Sequence, residues 1–110
     1  MAGKVVTIIA TADAAKAKTG VMYTMRALQE GWLEDIRLIF FGPAEKALLA
    51  NQDIQGMVAQ IKTATTPLAC KAISDREGTS DQLQALGVDV VYVGRIISDL
   101  INQGYTPMVW

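Results

Sequence analysis

The sequence predicts one α/β domain, a three-layer α/β/α sandwich built around a five-stranded parallel sheet. Short runs rich in β-branched residues alternate along the chain with segments whose apolar residues recur at helical spacing. The strongest run, residues 4–10, is almost continuously apolar, which is typical of a strand buried on both faces of a parallel sheet. Because 110 residues suffice for one hydrophobic core, we assign residues 1–110 to a single domain.

The first strand is predicted over residues 4–10, and a loop of small and polar residues over 11–19 leads from it into a helix. Thr11 or Asp13 is placed to cap that helix, and Gly31 is placed to end it. The apolar residues of the helix share one face, and they are Val21, Met22, Met25, Leu28 and Trp32. This pattern indicates one long amphipathic helix.

The rest of the chain continues the alternation of strands and helices. The predicted elements are a strand over 36–41, a helix over 44–50, a short helix after residue 51, a strand over 66–71, a helix over 72–86 interrupted at residue 78, a strand over 88–93, a helix that ends before residue 104 and a strand over 105–110. Asn51 or Asp53 is placed to cap the second of these helices. Pro107 cannot donate to a strand ladder, so we expect the last strand at an edge of the sheet.

The composition limits the partners of this protein. Apolar residues make up 51% of the chain and charged residues 19%, and the formal net charge is −1. Without a run of Lys or Arg, the chain lacks the basic surface that nucleic acid or an anionic membrane would bind. No apolar stretch is long enough to span a bilayer. Because the charged residues are few, we expect a second copy of the chain to cover part of the apolar surface, which predicts a homo-oligomer.

The cysteine count favours a cytoplasmic location. A single cysteine cannot form a disulfide within the chain, as small secreted domains do. Lys4, the apolar run after it and the Ala12-Asp13-Ala14 segment superficially resemble a secretory signal. That run is shorter than a signal peptide requires, and cleavage would remove the strongest strand, so we reject this interpretation.

Cys70 is the candidate catalytic residue. The chain has no histidine, so this thiol is the side chain whose nucleophilicity a fold could most readily raise near neutral pH. It ends a predicted strand, at the edge where α/β folds bind ligands, and a helix starting after it would direct its amides at the sulfur. Lys71 and Arg76 are candidate binding residues because they would add positive charge. The alternative is that Cys70 is a small buried hydrophobe, as free cysteines often are.

Other chemistries find little support in the sequence. Asp75, Glu77 and Asp81 crowd the segment after Cys70, and we interpret them as residues that favour helix termini rather than as metal ligands. A zinc site or a hydrolytic triad lacks the histidines it would need. The loop over 11–16 lacks the glycines that let backbone amides approach a phosphate, which argues against a nucleotide site. We therefore expect neither a metal nor a cofactor.

The order of these segments resembles that of the DsrE-like family, the small α/β proteins that include the sulfur-relay subunits DsrE and TusD and the YchN-type proteins. The resemblance covers nearly the whole chain. Its segments are the 4–10 strand with its loop and long helix, Ala69-Cys70 at a strand end, the broken helix before Leu86-Gly87-Val88-Asp89-Val90-Val91, then Gly94, Leu100 and Asn102-Gln103-Gly104-Tyr105 before the last strand.

The resemblance implies a five-stranded parallel sheet, homo-oligomers such as trimers or hexamers, and a cysteine at the Cys70 position. In the sulfur-relay members that cysteine accepts sulfane sulfur as a persulfide. This sequence departs from those members after the cysteine, where Lys71-Ala72-Ile73 follows, so it does not identify a partner. The leading hypothesis is a cytoplasmic, homo-oligomeric sulfur carrier that exchanges sulfur with donor and acceptor proteins through Cys70. The alternative is a non-enzymatic oligomeric binding or structural module with Cys70 in its core.

Overall fold

The computed structural model describes residues 3–110, in which strands and helices alternate as predicted. The strands are β1 (Lys4–Ile9), β2 (Asp35–Phe40), β3 (Leu68–Cys70), β4 (Asp89–Val91) and β5 (Thr106–Val109). The helices are α1 (Ala14–Glu30), α2 (Ala44–Leu49), α3 (Gln52–Ile61), α4 (Lys71–Glu77), α5 (Ser80–Ala85) and α6 (Val93–Asn102).

The five strands form one parallel sheet in the order β4-β3-β2-β1-β5. The chain therefore moves outward from β1 to β4 and then returns through α6 to the other side of β1. Right-handed crossovers in these two directions place helices on opposite faces of the sheet. The last strand, β5, lies at an edge, as Pro107 predicted, because an edge strand can do without that backbone donor.

Apolar clusters cover both faces of the sheet. Helices α1, α2, α3 and α5 pack on the first face, and the fully buried members of that cluster include Ile9, Val21, Leu38, Phe40, Leu48, Ile54, Ile61, Ala69 and Leu83. Helix α6 packs on the second face, where the buried residues are Val6, Ile8, Ile39, Cys70, Val93, Leu100 and Tyr105. The three-layer α/β/α architecture is thus confirmed, with most of the helical mass on one side.

Capping residues set several element boundaries. Of the two predicted caps of α1, Asp13 is the one used, since its carboxylate accepts hydrogen bonds from the amides of Ala15 at 2.9 Å and Lys16 at 3.3 Å. The helix consequently begins at Ala14, within the stretch predicted as a loop. Asn51 caps α3 by accepting a bond from the Ile54 amide at 3.0 Å.

Strands β3 and β4 are shorter than predicted. Each contains three residues, because α4 begins directly after Cys70 and α6 begins at Val93. The predicted strand over 88–93 therefore ends early, and Tyr92 becomes the N-cap of α6. The apolar periodicity of the sequence does not distinguish a strand end from a helix start when both are apolar.

Helix α1 is fixed to the sheet by two contacts that its sequence provides. The buried hydroxyl of Thr24 lies 2.9 Å from the hydroxyl of Thr7 and 2.9 Å from the carbonyl of Gly20, so both threonines are hydrogen-bonded. Gly20 also admits the Trp110 indole, because a Cβ there would lie 2.6 Å from the indole ring. Among residues 3–110 no helix is both long and apolar enough to cross a membrane.

Candidate functional site

The carboxyl ends of β3 and β4 lie side by side at one edge of the sheet. Cys70 is the last residue of β3 and lies opposite Val91, the last residue of β4. Helix α4 begins one residue after Cys70, and α6 begins after Tyr92. Parallel α/β sheets bind their ligands at such an edge, so the edge formed by these strand ends and helix starts is the candidate site.

Cys70 lies in this edge with its side chain on the α6 side of the sheet. It is 6% exposed and belongs to the apolar cluster that includes Val93 and Leu100. Cys70 occupies the N-cap position of α4, but its side chain makes no capping hydrogen bond there. The helix that was expected to direct its amides at the sulfur is present and seven residues long, and the thiol turns into the apolar layer instead.

The two predicted cationic neighbours of Cys70 have separate surroundings. The ammonium of Lys71 lies 2.6 Å from a carboxylate oxygen of Asp75, and it lies 6.0 Å from the centre of the Tyr92 ring. The bond to Asp75 raises the pKa of Lys71 and lowers that of Asp75, so the lysine charge is already partnered. Arg76 is exposed in the last turn of α4, about 9 Å along the helix from Cys70 at the usual rise per residue.

Glu45 is the residue of this edge that the sequence analysis missed. It lies in the first turn of α2 and is fully buried. Its Oε2 accepts a hydrogen bond of 3.1 Å from the backbone amide of Cys70, whereas its Oε1 is buried without a partner. A signal was present, because Glu45 stands three and four residues before Leu48 and Leu49, within the apolar stripe of the helix. Acidic residues are common in the first turn of a helix, so the position of Glu45 within the apolar stripe is easily overlooked.

Burial dominates the electrostatics of Glu45. It raises the pKa of this carboxyl to about 7, against the hydrogen bond from the Cys70 amide, which lowers it. The negative charge of Glu77 raises the pKa further, and the Gly42 amide lowers it. Glu77 is itself paired with the Lys46 ammonium at 3.4 Å. Glu45 is therefore a buried acid that changes charge near neutral pH.

A shallow depression of about 280 Å³ lies beside this edge, where α4 meets α5. Its polar side chains bond to one another, with Ser80 donating to Asp75 at 2.6 Å and the hydroxyls of Ser74 and Ser80 2.7 Å apart. Within the part of the chain that the structure describes, no group of three His, Cys, Asp or Glu residues is arranged to hold a metal ion. Asp75 thus links α4 with α5, whereas Glu77 pairs with Lys46 of α2.

The polar side chains of the loop after β1 form hydrogen bonds within the loop and with the first turn of α1. The side chain of Thr11 accepts a bond of 3.0 Å from the Asp13 amide, and Asp13 in turn caps α1. A carboxylate therefore already occupies the end of α1 where a nucleotide phosphate would bind in related sheet topologies.

Comparison with known proteins shows the fold of the chain and leaves its activity open. No protein-family model and no curated protein matches the chain. Among solved structures, it is similar to the conserved protein of unknown function BT1422 from Bacteroides thetaiotaomicron. The TM-score is 0.83 at 21% sequence identity, and the match covers 97% of this chain and 95% of that chain. At this identity the similarity shows a shared α/β/α fold.

The buried carboxyl predicts a characteristic dependence of stability on pH. The pKa of Glu45 is about 7 in the folded protein against 4.5 for an ordinary glutamate, so the folded state holds this proton more tightly than the unfolded state. Stability is therefore lost as the pH rises from about 4.5 to 7 and is constant above that range. We expect the Glu45→Gln protein to escape this loss and to gain up to about 3 kcal/mol over the wild type across that interval.

Urea unfolding at pH 4.5, 6 and 8 measures this difference. The control is Glu34→Gln, which removes a half-exposed glutamate at the opposite edge of the sheet and leaves the pH dependence of the wild type in place. If wild type and Glu45→Gln differ in free energy of unfolding by the same amount at all three pH values, Glu45 does not have the raised pKa described above.

Proposed function

We propose that the protein is a DsrE-like sulfur carrier, in which Cys70 takes up sulfane sulfur as a persulfide and passes it to another thiol. The observation that carries this proposal is the position of Cys70, at the strand end where α4 and α6 both begin. This is the edge at which parallel sheets bind their ligands. The resemblance in segment order to the DsrE-like family supports the same role for this cysteine.

The proposed transfer exchanges one sulfur–sulfur bond for another. The Cys70 thiolate attacks the outer sulfur of a donor persulfide, a bond forms between these two sulfurs, and the donor leaves as a thiolate. An acceptor thiolate then attacks the outer sulfur of the Cys70 persulfide, which regenerates the Cys70 thiolate. No net oxidation occurs and no cofactor is needed. Since Cys70 is 6% exposed, the surrounding edge has to open for either step.

The burial of Cys70 favours a second candidate function. Its side chain packs with Val6, Ile39 and Leu100 in an apolar cluster, as a structural cysteine does. In that case the protein is a non-enzymatic oligomeric binding or structural module, and its function lies on its other surfaces. The two candidates differ in one observable, the reactivity of the thiol in the folded protein.

Both candidates include assembly into a homo-oligomer such as a trimer or hexamer, and the α6 side of the sheet is the surface that supports it. The ten-residue helix α6 covers most of this face, with Ile73 of α4 beside it, and Ile101 on α6 is 46% exposed. Val109 pairs in register with Ile8, whose side chain lies in the α6 cluster, so Val109 points to the same side and is 66% exposed. Tyr92, at the start of α6, is 65% exposed. Another copy of the chain would bury these side chains.

The remaining features of the proposal concern location and partners. A free, unpaired thiol supports a reducing compartment, and we place the protein in the cytoplasm. The partners of the sulfur-carrier role are a donor and an acceptor protein of persulfide chemistry. The net charge of −1 gives no support to a nucleic-acid partner.

The sulfur-carrier proposal predicts that folded wild-type protein gains one sulfur atom from a small persulfide donor such as glutathione persulfide. Intact-mass spectrometry under non-reducing conditions measures the gain, and added thiol removes it again. We expect the folded protein to gain this sulfur faster than global unfolding could expose the thiol, because in a carrier the edge around Cys70 opens within the folded state. Cys70→Ser is the control and gains nothing. Reaction only after unfolding would exclude the carrier and favour the structural module.

The assembly proposal predicts that Ile101→Lys weakens the oligomer, because a buried unpaired ammonium is costly at an interface. The matched control is Met22→Lys on α1, since Met22 is 47% exposed, almost equal to Ile101, and lies on the other side of the sheet. Light scattering after size exclusion measures the mass at several concentrations. We expect Ile101→Lys alone to shift to lower mass, with at least about a tenfold weaker association. A monomeric wild type would contradict the proposal.

A further inference from the structure

The carboxyl of Glu45 links helix α2 to the junction between β3 and α4. Its Oε2 accepts the hydrogen bond of the Cys70 amide at 3.1 Å, and Cys70 is both the last residue of β3 and the N-cap of α4. The bond therefore holds the backbone of the residue that carries the thiol. A change in the protonation of this carboxyl therefore acts first on the backbone of Cys70.

The surroundings of Glu45 suit the neutral acid and disfavour the carboxylate. Its Oε1 is buried and has no hydrogen-bond partner, so a negative charge there is neither solvated nor paired. Glu77 on α4 faces it with a charge of the same sign, and Lys46 of α2 is engaged with Glu77 at 3.4 Å.

The other elements that pack against α2 supply no compensating cation. Lys18 of α1 and Asp53 of α3 pair with each other at 2.9 Å, and the nearby charged residue on α5, Asp81, is acidic. Among the ion pairs of residues 3–110, none includes Glu45. Ionisation of Glu45 in the closed structure thus creates an unpaired buried charge.

We propose that Glu45 is a proton-dependent latch on the β3–α4 junction, which holds the Cys70 backbone in the closed position when Glu45 is neutral and releases it when Glu45 is ionised. The carboxylate accepts the Cys70 amide bond more strongly than the neutral acid does, but the unsolvated charge on Oε1 costs more than this bond gains. Opening lets water reach Oε1, and the Cys70 backbone moves with the carboxylate to which it is bonded, which withdraws the thiol from its packing against α6. Seven-residue α4 and three-residue β3 are the elements that move. This inference goes beyond the proposed function, because it concerns access to the thiol whether or not the thiol carries sulfur.

Proton linkage sets the direction in which the open population changes with pH and the pH range of that change. In the open junction Glu45 is solvated and has the ordinary pKa of 4.5, and in the closed junction its pKa is about 7. The open population therefore rises with pH between these two values and is constant above about 7. The difference in pKa sets an upper limit of about 300-fold for the rise, and we expect at least about tenfold.

The test is the rate at which folded protein reacts with 4,4′-dithiodipyridine from pH 5 to 8. The thiol displaces thiopyridone from this disulfide, forming a mixed disulfide at Cys70, and the released thiopyridone is read by absorbance. The reagent remains reactive at acidic pH, and no sulfur donor is involved. Dividing the wild-type rate by the Glu45→Gln rate at each pH cancels the ionisation of the thiol itself, because the two proteins share the same cysteine.

We expect this ratio to rise at least tenfold between pH 5 and 7 and to stay level above pH 7. Glu34→Gln, at the opposite edge of the sheet, should react like the wild type at every pH. A ratio that does not change with pH overturns the proposal.

If Glu45→Gln does not fold, a second variant tests the proposed latch. Glu77→Gln removes the like charge that faces Glu45, so the pH at which the wild-type rise levels off should fall. Its rates are divided by those of a short peptide with the sequence of residues 66–75, which reports the unprotected thiol. A levelling pH equal to that of the wild type overturns the proposal.

Discussion

The hydrogen bond from the Cys70 amide to the Glu45 carboxyl is the interaction on which the carboxyl edge of the sheet depends. It joins the first turn of α2 to the end of β3. Burying an acid in this way is costly, and the unpartnered Oε1 shows that the cost is only partly offset. The edge therefore contains a buried acid whose charge depends on a single proton.

The topology explains why this edge contains the candidate site. The chain builds four strands in one direction and returns once through α6, so most helices pack on one face, and α6 with Ile73 of α4 covers the other. Cys70 faces the thinly covered side. On that side Ile101 and Val109 remain exposed, and a neighbouring copy would complete the layer. The access of reagents to the thiol and the assembly of the protein therefore both depend on the α6 side of the sheet.

Much of the fold was predictable because its signals are local. Continuous apolar strands, amphipathic helices and glycine or proline at the boundaries predicted the parallel α/β/α sandwich, and Pro107 predicted the edge position of β5. Cys70 was predictable as a candidate because it is the chain's single cysteine, and its location at a strand end is confirmed. The side on which its sulfur lies depends on strand alternation and on the return of α6, which are set by the whole sheet.

Glu45 was not predictable in the same way. Its position in a first helical turn suggested an exposed residue that favours the helix dipole, and only the packing of α2 under the end of β3 buries it. The partner of its carboxyl is the backbone amide of Cys70. Every residue except proline has such an amide, so no residue type in the sequence indicates this partner. Lys71 illustrates the converse, because its place beside Cys70 suggested a role for its charge at the thiol, whereas its charge is paired with Asp75.

The most direct test of this account is the titration of the Glu45 carboxyl carbon by NMR in the folded protein. The resonance is identified by its absence from Glu45→Gln. A midpoint near pH 7 would agree with a buried acid whose neutral form is the favoured one in the closed Cys70 junction. A midpoint near the ordinary value of 4.5 would mean that the carboxylate is solvated in the folded protein, and the account of the edge would then be wrong.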